Sequence, residues 1–248
     1  MSSEYEHFGD LSPEEHLKEV QDMHKVCKGE PHQTKKGGWY HLASDAIDCG
    51  VFIFFIRTVF FLTPTLPLAS YGKLLLATGV SWIFYTSCKC AQSAWAYMEL
   101  THRNMLQEKK EIETHPEQER MELRVLYANQ GFQEPLLSQM TDFVCSDSSL
   151  LLDTMLREEL HIQLENYPHP LKQGGMKACG GILGLLLFFP IALTVSYTVS
   201  VLLAALVISA LFALKTRLIN NAVTPAIVWG VGIFITTISF CCSVIRLF

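Results

Sequence analysis

The C-terminal third of the chain contains no carboxylate side chain, and its few charged residues are separated by long apolar runs. The sequence has 248 residues and 24 Asp and Glu side chains, none of which lies beyond Glu165. Residues 178–214 and 218–245 contain no charged side chain at all. Roughly 20 consecutive apolar residues are enough for a helix to cross the hydrocarbon core of a bilayer. The chain is therefore predicted to be an integral, multi-pass membrane protein, and a soluble globule is excluded.

Five apolar segments are long enough to be membrane spans, and a polar segment separates the second from the third. The spans are predicted at Ala43–Leu62, Gly72–Met98, Met176–Thr194, Thr198–Leu214 and Ala222–Ile245. The second span has no turn signal at its end, so its helix is expected to continue into the polar segment. The sequence thus predicts an all-α, five-span transmembrane protein with a helical domain inserted between spans 2 and 3. Its predicted parts are residues 1–42, 43–99, 100–175 and 176–248.

The N-terminal segment is polar and contains one predicted amphipathic helix. Ser12, Pro13 and Glu15 have the residue types that begin a helix. Side chains that recur at helical spacing follow them, namely Leu17, Val20, Met23, His24 and Cys27. We expect this helix to lie at the membrane surface or against the inserted domain.

Lysine and arginine mark alternate connections between the predicted spans. They are frequent in the N-terminal segment, in residues 100–175 and between spans 4 and 5, and nearly absent from the other connections. Positively charged loops remain on the cytosolic side of a membrane. The N-terminus and the inserted domain are therefore predicted to be cytosolic, in either a vacuolar-type membrane or a bacterial inner membrane.

Several classes of function are excluded by what the sequence lacks. The net charge is −5 and the cations are scattered, which gives no basic surface for nucleic acid. The eight cysteines have no C-x-x-C spacing, so free thiols are expected and a zinc ribbon or disulfide framework is not. Neither a nucleophile–base arrangement nor a phosphate-binding glycine loop is present, so the chain is predicted not to be an enzyme and to hold no permanent cofactor.

Acidic residues in the inserted segment recur at helical spacing. Glu108 and Glu111 form one E-x-x-E pair, and Glu119 and Glu122 form a second. At 100° per residue the four side chains of a continuous helix would fall within an arc of about 80°. A capping box over residues 114–117 predicts instead that a new helix begins between the pairs, so that they lie on successive helices.

A thioether and two further acids follow at a spacing that places them near one face of a later helix. Met155 and Glu159 are four residues apart, and Glu158 lies beside them. Converging carboxylates repel one another unless a cation neutralises them, and oxygen ligands with one thioether suit divalent transition metals. The alternative is an ordinary solvated helix face balanced by lysine and arginine, with Met155 in the hydrophobic core.

The stretch that carries these residues resembles the cytosolic metal-binding domain of the vacuolar iron transporter family. The residues that carry the resemblance are Glu108, Glu111, Glu119, Glu122, Met155 and Glu159, with Leu126-Tyr127 and Gly131-Phe132 between them. The resemblance implies that these six ligands collect a divalent metal ion as substrate. It also implies a five-span homodimer that moves Fe²⁺ or Mn²⁺ out of the cytosol in exchange for protons, with Zn²⁺ and Co²⁺ as further candidate substrates.

The first two predicted spans contain the side chains that could carry an ion through the membrane. The family has an Asp-Gly pair in span 1 as a transport ligand, and the nearest equivalent here is Asp48-Cys49-Gly50. Asp48 is therefore predicted to lie on the transport path. Cys88 and Cys90 in span 2 are possible soft ligands, although isolated thiols in a span are more often small packing residues.

The same two spans diverge from the family. Arg57 and Lys89 are unusual for a cation route, and the methionine and glutamate expected at the end of span 2 are missing. Arg57 is expected to pair with an acid from another span or subunit, and Asp45 to stabilise a helix start. These departures support an alternative function, a non-transporting membrane scaffold or a metal-responsive docking protein.

Overall fold

The computed structural model describes residues 35–62, 68–159, 169–194 and 196–247. Every regular element in these residues is an α-helix, which confirms the all-α prediction for this part of the chain. The helices are α1 (Lys35–Leu62), α2 (Leu68–Thr114), α3 (Pro116–Asn129), α4 (Leu136–Cys145), α5 (Ser148–Glu158), α6 (Pro170–Ala192), α7 (Tyr197–Leu218) and α8 (Val223–Ile245). The predicted N-terminal amphipathic helix lies outside the described residues.

Four of the described helices are long and apolar enough to cross a membrane. They are α2 from Ser70 onward, α6, α7 and α8, and together they identify an integral multi-pass membrane protein. The helix α1 covers the first predicted span but is not among these four. It carries Asp45, Asp48 and Arg57 along its length, and these charges lower its apolar character.

The helix α2 continues without interruption from the second predicted span into the polar segment, as the sequence indicated. It contains 47 residues, which at about 1.5 Å per residue is more than twice the thickness of a hydrocarbon core. Only its apolar first part therefore fits within a bilayer. Its charged last part, from Glu99 to Thr114, extends beyond the span.

The chain divides into two compact units. Unit 1 comprises Met1–Gln92 with Pro170–Phe248, and unit 2 comprises Ser93–His169. In unit 1, α1 packs against α6, α7 and α8. The side chains that α1 buries in this bundle are mostly small or aromatic and include Ala43, Ala46, Cys49, Ile53 and Phe54.

Side-chain contacts fix the direction of the helices that surround α1. The helix α7 runs antiparallel to α1, because the Lys215 ammonium donates to Ser44 Oγ near one end and Thr58 bonds the Tyr197 hydroxyl near the other. The helix α2 is also antiparallel, since Phe52 stacks on Trp82 and a second ring contact lies further along both helices. The helix α6 runs parallel to α1.

Glycines on α6 allow this parallel neighbour to approach α1 closely. A Cβ atom added at Gly184 would lie 2.5 Å from the Ala46 carbonyl oxygen, and one added at Gly180 would lie 2.5 Å from Asp45 Cβ. Small residues four apart are typical of tightly packed transmembrane helices. The contact between α1 and α6 therefore depends on glycine at both positions.

Arg57 has partners different from the acid that the sequence predicted. Its Nη2 donates to the carbonyl oxygen of Thr194 at 2.7 Å, and its guanidinium lies 5.3 Å from the Tyr71 ring centroid. The Thr194 carbonyl follows the C-terminal end of α6, where the helix dipole favours a cation. Among the described residues of the chain no acid pairs with Arg57, because a helix-end carbonyl and an aromatic ring provide the negative surface. An acid from another subunit stays a prediction.

Unit 2 contains α3, α4 and α5 together with the last part of α2. Its core is an apolar cluster made of Ile112, Leu123, Tyr127, Leu137, Val144, Leu151 and Met155. A new helix does begin between the two E-x-x-E pairs, with Pro116 in its first turn. The predicted capping box does not form, because the cap is His115 without a side-chain bond and Thr114 Oγ1 donates back to the Lys110 carbonyl.

Candidate metal-binding site

Five glutamates of unit 2 come from three different helices and face one another. Glu108 and Glu111 lie near the end of α2, Glu119 and Glu122 lie on α3, and Glu159 follows α5. Glu108 and Glu119 are buried, with only 6% and 5% of their surface exposed. Each of the five carboxylates acts electrostatically on others of the set. We call this set the glutamate cluster.

The crowding of like charges changes the protonation of the glutamate cluster. Burial, together with the neighbouring carboxylates of Glu159, Glu119 and Glu111, raises the pKa of Glu108 to about 8. Burial and the nearby Glu122 also raise the pKa values of Glu119 and Glu159. The carboxyl groups of Glu108 and Glu119 are close enough to share a hydrogen bond, which requires a proton between them.

Basic residues of unit 2 neutralise acids outside the glutamate cluster. Arg120 pairs with Asp142, and Arg124 pairs with Glu134. Among the described residues no ion pair includes a member of the cluster. Within the described part of the chain, one carboxylate oxygen each of Glu108 and Glu119 is buried without a hydrogen-bond partner. The interpretation as a solvated face balanced by arginines therefore fails for these two side chains.

The cluster is not arranged as a closed coordination shell. In the part of the chain that the structure describes, no group of three or more His, Cys, Asp and Glu side chains forms a metal-binding set. A divalent ion would require the carboxylates to converge further, which their exposed members can do by side-chain rotation. The assignment of the six predicted ligands thus stays a prediction.

Two methionines of unit 2, Met155 and Met121, have different surroundings. Met155 is completely buried in the apolar core of unit 2, as the core interpretation of this residue predicted. Met121 is 61% exposed and lines a cleft of about 320 Å³ together with Glu122, Val125, Leu126 and Glu159. Sequence reasoning missed Met121, although its position directly before Glu122 was a usable signal. The neighbouring Glu158 accepts a hydrogen bond from Gln130 at 2.6 Å.

The predicted transport residue Asp48 lies in unit 1 close to a lysine that sequence reasoning did not connect with it. Lys177 Nζ, on α6, is 3.8 Å from Asp48 Oδ2 and donates a hydrogen bond to Asp45 Oδ1. The side chain of Asp48 is 64% exposed, whereas that of Asp45 is 13% exposed. The helix-start interpretation of Asp45 was wrong, because α1 begins far earlier, at Lys35.

The two thiols predicted as possible soft ligands lie on α2 and differ in how far they are exposed. Cys88 is exposed and Cys90 is partly buried. Cys90 Sγ is 4.0 Å from the side-chain oxygen of Gln173. No hydrogen bond among the described residues joins either thiol to Asp48, and their role as ligands stays untested.

Comparison with known proteins gives one family. A model of the VIT family matches residues 92–242, which is more than half of the chain. The matched range contains the glutamate cluster, α6, α7 and most of α8, and leaves out α1 and the first part of α2. No curated protein matches the chain. The match confirms the resemblance found in the sequence and gives coarse support for a metal-ion transporter and against an enzyme. The chain belongs to the VIT family, the family of vacuolar iron transporters.

Proposed function

We propose that this protein is a divalent-metal transporter whose cytosolic glutamate cluster captures the metal and whose spans carry it out of the cytosol in exchange for protons. The substrate is Fe²⁺ or Mn²⁺, with Zn²⁺ and Co²⁺ as further candidates, and the working assembly is a homodimer. Family membership supports metal-ion transport in general. The finer statements rest on the chemistry of the described residues.

The observation that carries the proposal is that five carboxylates gather where none of the described residues forms an ion pair with them. A cluster in which burial raises the pKa of Glu108 to about 8 is costly in its charged form and gains most from an added divalent ion. The two buried oxygens of Glu108 and Glu119 that lack a partner are positions where a metal would supply the missing interaction. The exposed members, such as Glu122 and Glu159, give the ion access from solvent.

We further propose that α1 provides the fifth span, although residues 43–62 of this helix include three charged side chains. Its antiparallel neighbours α2 and α7 are apolar enough to cross a bilayer. The helix α1 contacts α7 near both ends, through Ser44 and Thr58, and contacts α2 through two aromatic pairs. Asp45 is paired with Lys177, and Arg57 is bonded to a carbonyl, which lowers the cost of these charges in a membrane. Unit 2 would then be cytosolic by the distribution of positive charge.

Transport is tested with the full chain in proteoliposomes. We expect uptake of Mn²⁺ or Fe²⁺ that increases when a pH gradient drives the exchange. The decisive measurement compares Fe²⁺, Mn²⁺, Co²⁺ and Zn²⁺ with and without the gradient. A protein that moves none of the four ions under either condition is not a transporter of this class.

The ligand assignment is tested by calorimetry on the full chain in detergent. Glu111→Ala combined with Glu122→Ala should weaken divalent binding by at least about tenfold, or 1.4 kcal/mol. The matched control is Glu113→Ala with Glu117→Ala, because these exposed glutamates lie on the same two helices outside the cluster. If the first pair of substitutions leaves binding unchanged, the cluster is not the metal site.

A second function is favoured by the membrane unit, that of a non-transporting scaffold or metal-responsive docking protein. The cations Lys177 and Arg57 lie within the bundle, and the family match leaves out residues 1–91. This alternative predicts that Asp48→Ala has no effect on cellular metal tolerance. It also predicts that deletion of residues 100–175 removes a protein contact.

A further inference from the structure

Two carboxylates of α1 share one ammonium group from α6. Asp45 and Asp48 are three residues apart and therefore lie near one face of the helix; we call them the α1 carboxylate pair. Lys177 Nζ donates to Asp45 Oδ1 and is 3.8 Å from Asp48 Oδ2. The lysine side chain is 28% exposed, so a single protein cation lies where both acids can reach it.

The position of this cation follows from how the two helices pack. Gly180 presents no side chain to α1, and Asp45 lies directly against it. Lys177 precedes Gly180 by three residues and so extends from the same face of α6 one turn earlier. The Lys177 ammonium thus reaches the Asp45 carboxylate from the preceding turn, while Gly180 allows α1 and α6 to pack closely.

Other groups of unit 1 complete the electrostatics around the pair. Lys215, on α7, donates to Ser44 Oγ at 3.1 Å and acts electrostatically on Asp45. Cys90 of α2 is a further electrostatic neighbour of Lys177. Asp45 is therefore near two ammonium groups and Asp48 is near one of them, which leaves the region with little net negative charge to attract a mobile cation.

We propose that Lys177 is a specificity-determining residue that acts as a tethered competitor of the transported ion. This inference rests on the proposed function, in which a divalent ion passes the α1 carboxylate pair. An ion bound between Asp45 and Asp48 would lie within a few ångströms of the Lys177 ammonium, where like charges repel strongly. The ion gains both carboxylates only when Lys177 is displaced.

The competing explanation is a purely structural ion pair that joins α1 to α6. A structural pair and a competitor differ in what happens when the charge is removed. Loss of a structural pair lowers stability and leaves metal affinity unchanged, whereas loss of a competitor strengthens metal binding. Transport kinetics separate the two, since a change in KM without a matching change in kcat reports binding of the ion.

The test is Mn²⁺ uptake by proteoliposomes that contain the full chain with Lys177→Met. We expect KM to fall by at least about tenfold with kcat changed by less than about threefold. Lys177→Arg, which keeps the charge, should behave as the unchanged protein, and so should Lys172→Met, an exposed lysine on the same helix. An unchanged KM in a folded Lys177→Met protein overturns the inference. If this variant does not fold, Lys177→Gln, which retains a hydrogen-bond donor, decides in the same way.

A second measurement separates failure of this inference from failure of the proposed function. Mn²⁺ binding is followed by electron paramagnetic resonance on full chains in which all five residues of the glutamate cluster are changed to Gln. Lys177→Met should increase binding at least about tenfold in this background, and adding Asp45→Asn with Asp48→Asn should remove the increase. If the unchanged protein carries no metal but the increase is observed, the proposed function fails and the competitor role stands. If transport is observed without the increase, the competitor role fails alone.

Discussion

The chain gathers carboxylates in two regions, and the two regions differ in where the neutralising charge comes from. The glutamate cluster of unit 2 has five acids and, among the described residues, no ion pair of its own. The α1 carboxylate pair of unit 1 has two acids and receives the ammonium of Lys177. Under the proposed function the first takes its neutralising cation from solution, whereas the second already has one from the protein.

This difference follows from how far each region can rely on water. Several members of the glutamate cluster are exposed, so water and a mobile ion can share the task of screening their charges. Asp45 is largely enclosed between helices that fit a bilayer, where an unpaired charge is too costly to persist. A tethered lysine lowers that cost permanently, and it also weakens the attraction of the site for other cations.

Among the substitutions that test this difference, the largest effect on metal binding is expected in the glutamate cluster. Glu108→Gln with Glu119→Gln removes the two buried carboxylates and should weaken Mn²⁺ binding about a hundredfold, or 2.7 kcal/mol. The same change should stabilise the metal-free protein, because it removes two buried carboxyl groups whose charged forms are costly. Thermal unfolding of the full chain with and without Mn²⁺ measures both effects. A metal-induced rise in Tm that survives the double substitution would contradict the assignment.

The next largest effect is a change in the stability of unit 2 with pH, and its direction follows from the raised pKa of Glu108. The pKa of Glu108 is raised from 4.5 to about 8, so the folded state keeps a proton that the unfolded chain loses. The stabilisation of the folded state by this proton is complete below about pH 4.5, and it disappears as the pH rises to about 8. Metal binding should instead strengthen over the same range, because the ion displaces that proton.

Hydrogen exchange of residues 116–158 as a function of pH measures this local stability without metal. Protection should decrease from pH 5 to pH 8, and Glu108→Gln should flatten the profile. Glu117→Gln is the control, since it removes an exposed glutamate of α3. Protection that increases with pH would show that the cluster is not crowded with negative charge.

Packing of the membrane unit gives a smaller effect. Gly184→Ala places a Cβ atom 2.5 Å from the Ala46 carbonyl oxygen and should cost about 1–3 kcal/mol through overpacking. Gly232→Ala is a matched control on α8, because its added Cβ meets no atom within 4 Å. Chemical denaturation in detergent compares the two. Equal stability of both variants would mean that close contact between α1 and α6 is not required.

The smallest effect is expected for the exposed ion pairs of unit 2. Arg120→Ala removes the partner of Asp142, and both side chains are at least half exposed. Exposed pairs contribute less than about 1 kcal/mol, so Tm should change little and Mn²⁺ affinity should stay the same. A marked change in metal affinity would show that this arginine balances the glutamate cluster after all.

Local features of the fold could be predicted from the sequence. The start of a span near Thr198 and the start of a new helix after Thr114 were both predicted, and the structure begins helices at Tyr197 and Pro116. Such signals act over a few residues. The placement of the two E-x-x-E pairs on successive helices was also predicted, and the structure confirms it. The capping box was not formed, because the hydroxyl of Thr114 bonds within its own helix.

Features that depend on distant parts of the chain could not be predicted. Asp45 and Lys177 are separated by 132 residues, and no periodicity relates them. In the sequence Lys177 is only the second residue of a predicted span, and Arg57 was expected to pair with an acid. Both acquire their roles from the parallel packing of α1 and α6, which only the tertiary structure reveals.

The spacing of Asp45 and Asp48 has a consequence for the speed of any exchange at the pair. The two residues are separated by about 4.5 Å along the helix axis, which is within the reach of the four-carbon side chain of Lys177. The ammonium can therefore pass from one carboxylate to the other by rotation about its own bonds, without movement of a helix. Such rotations take nanoseconds or less, whereas helix shifts take microseconds to milliseconds. Displacement of this lysine would then be a fast equilibrium, and the slow step of a transport cycle would lie in the movement of the helices.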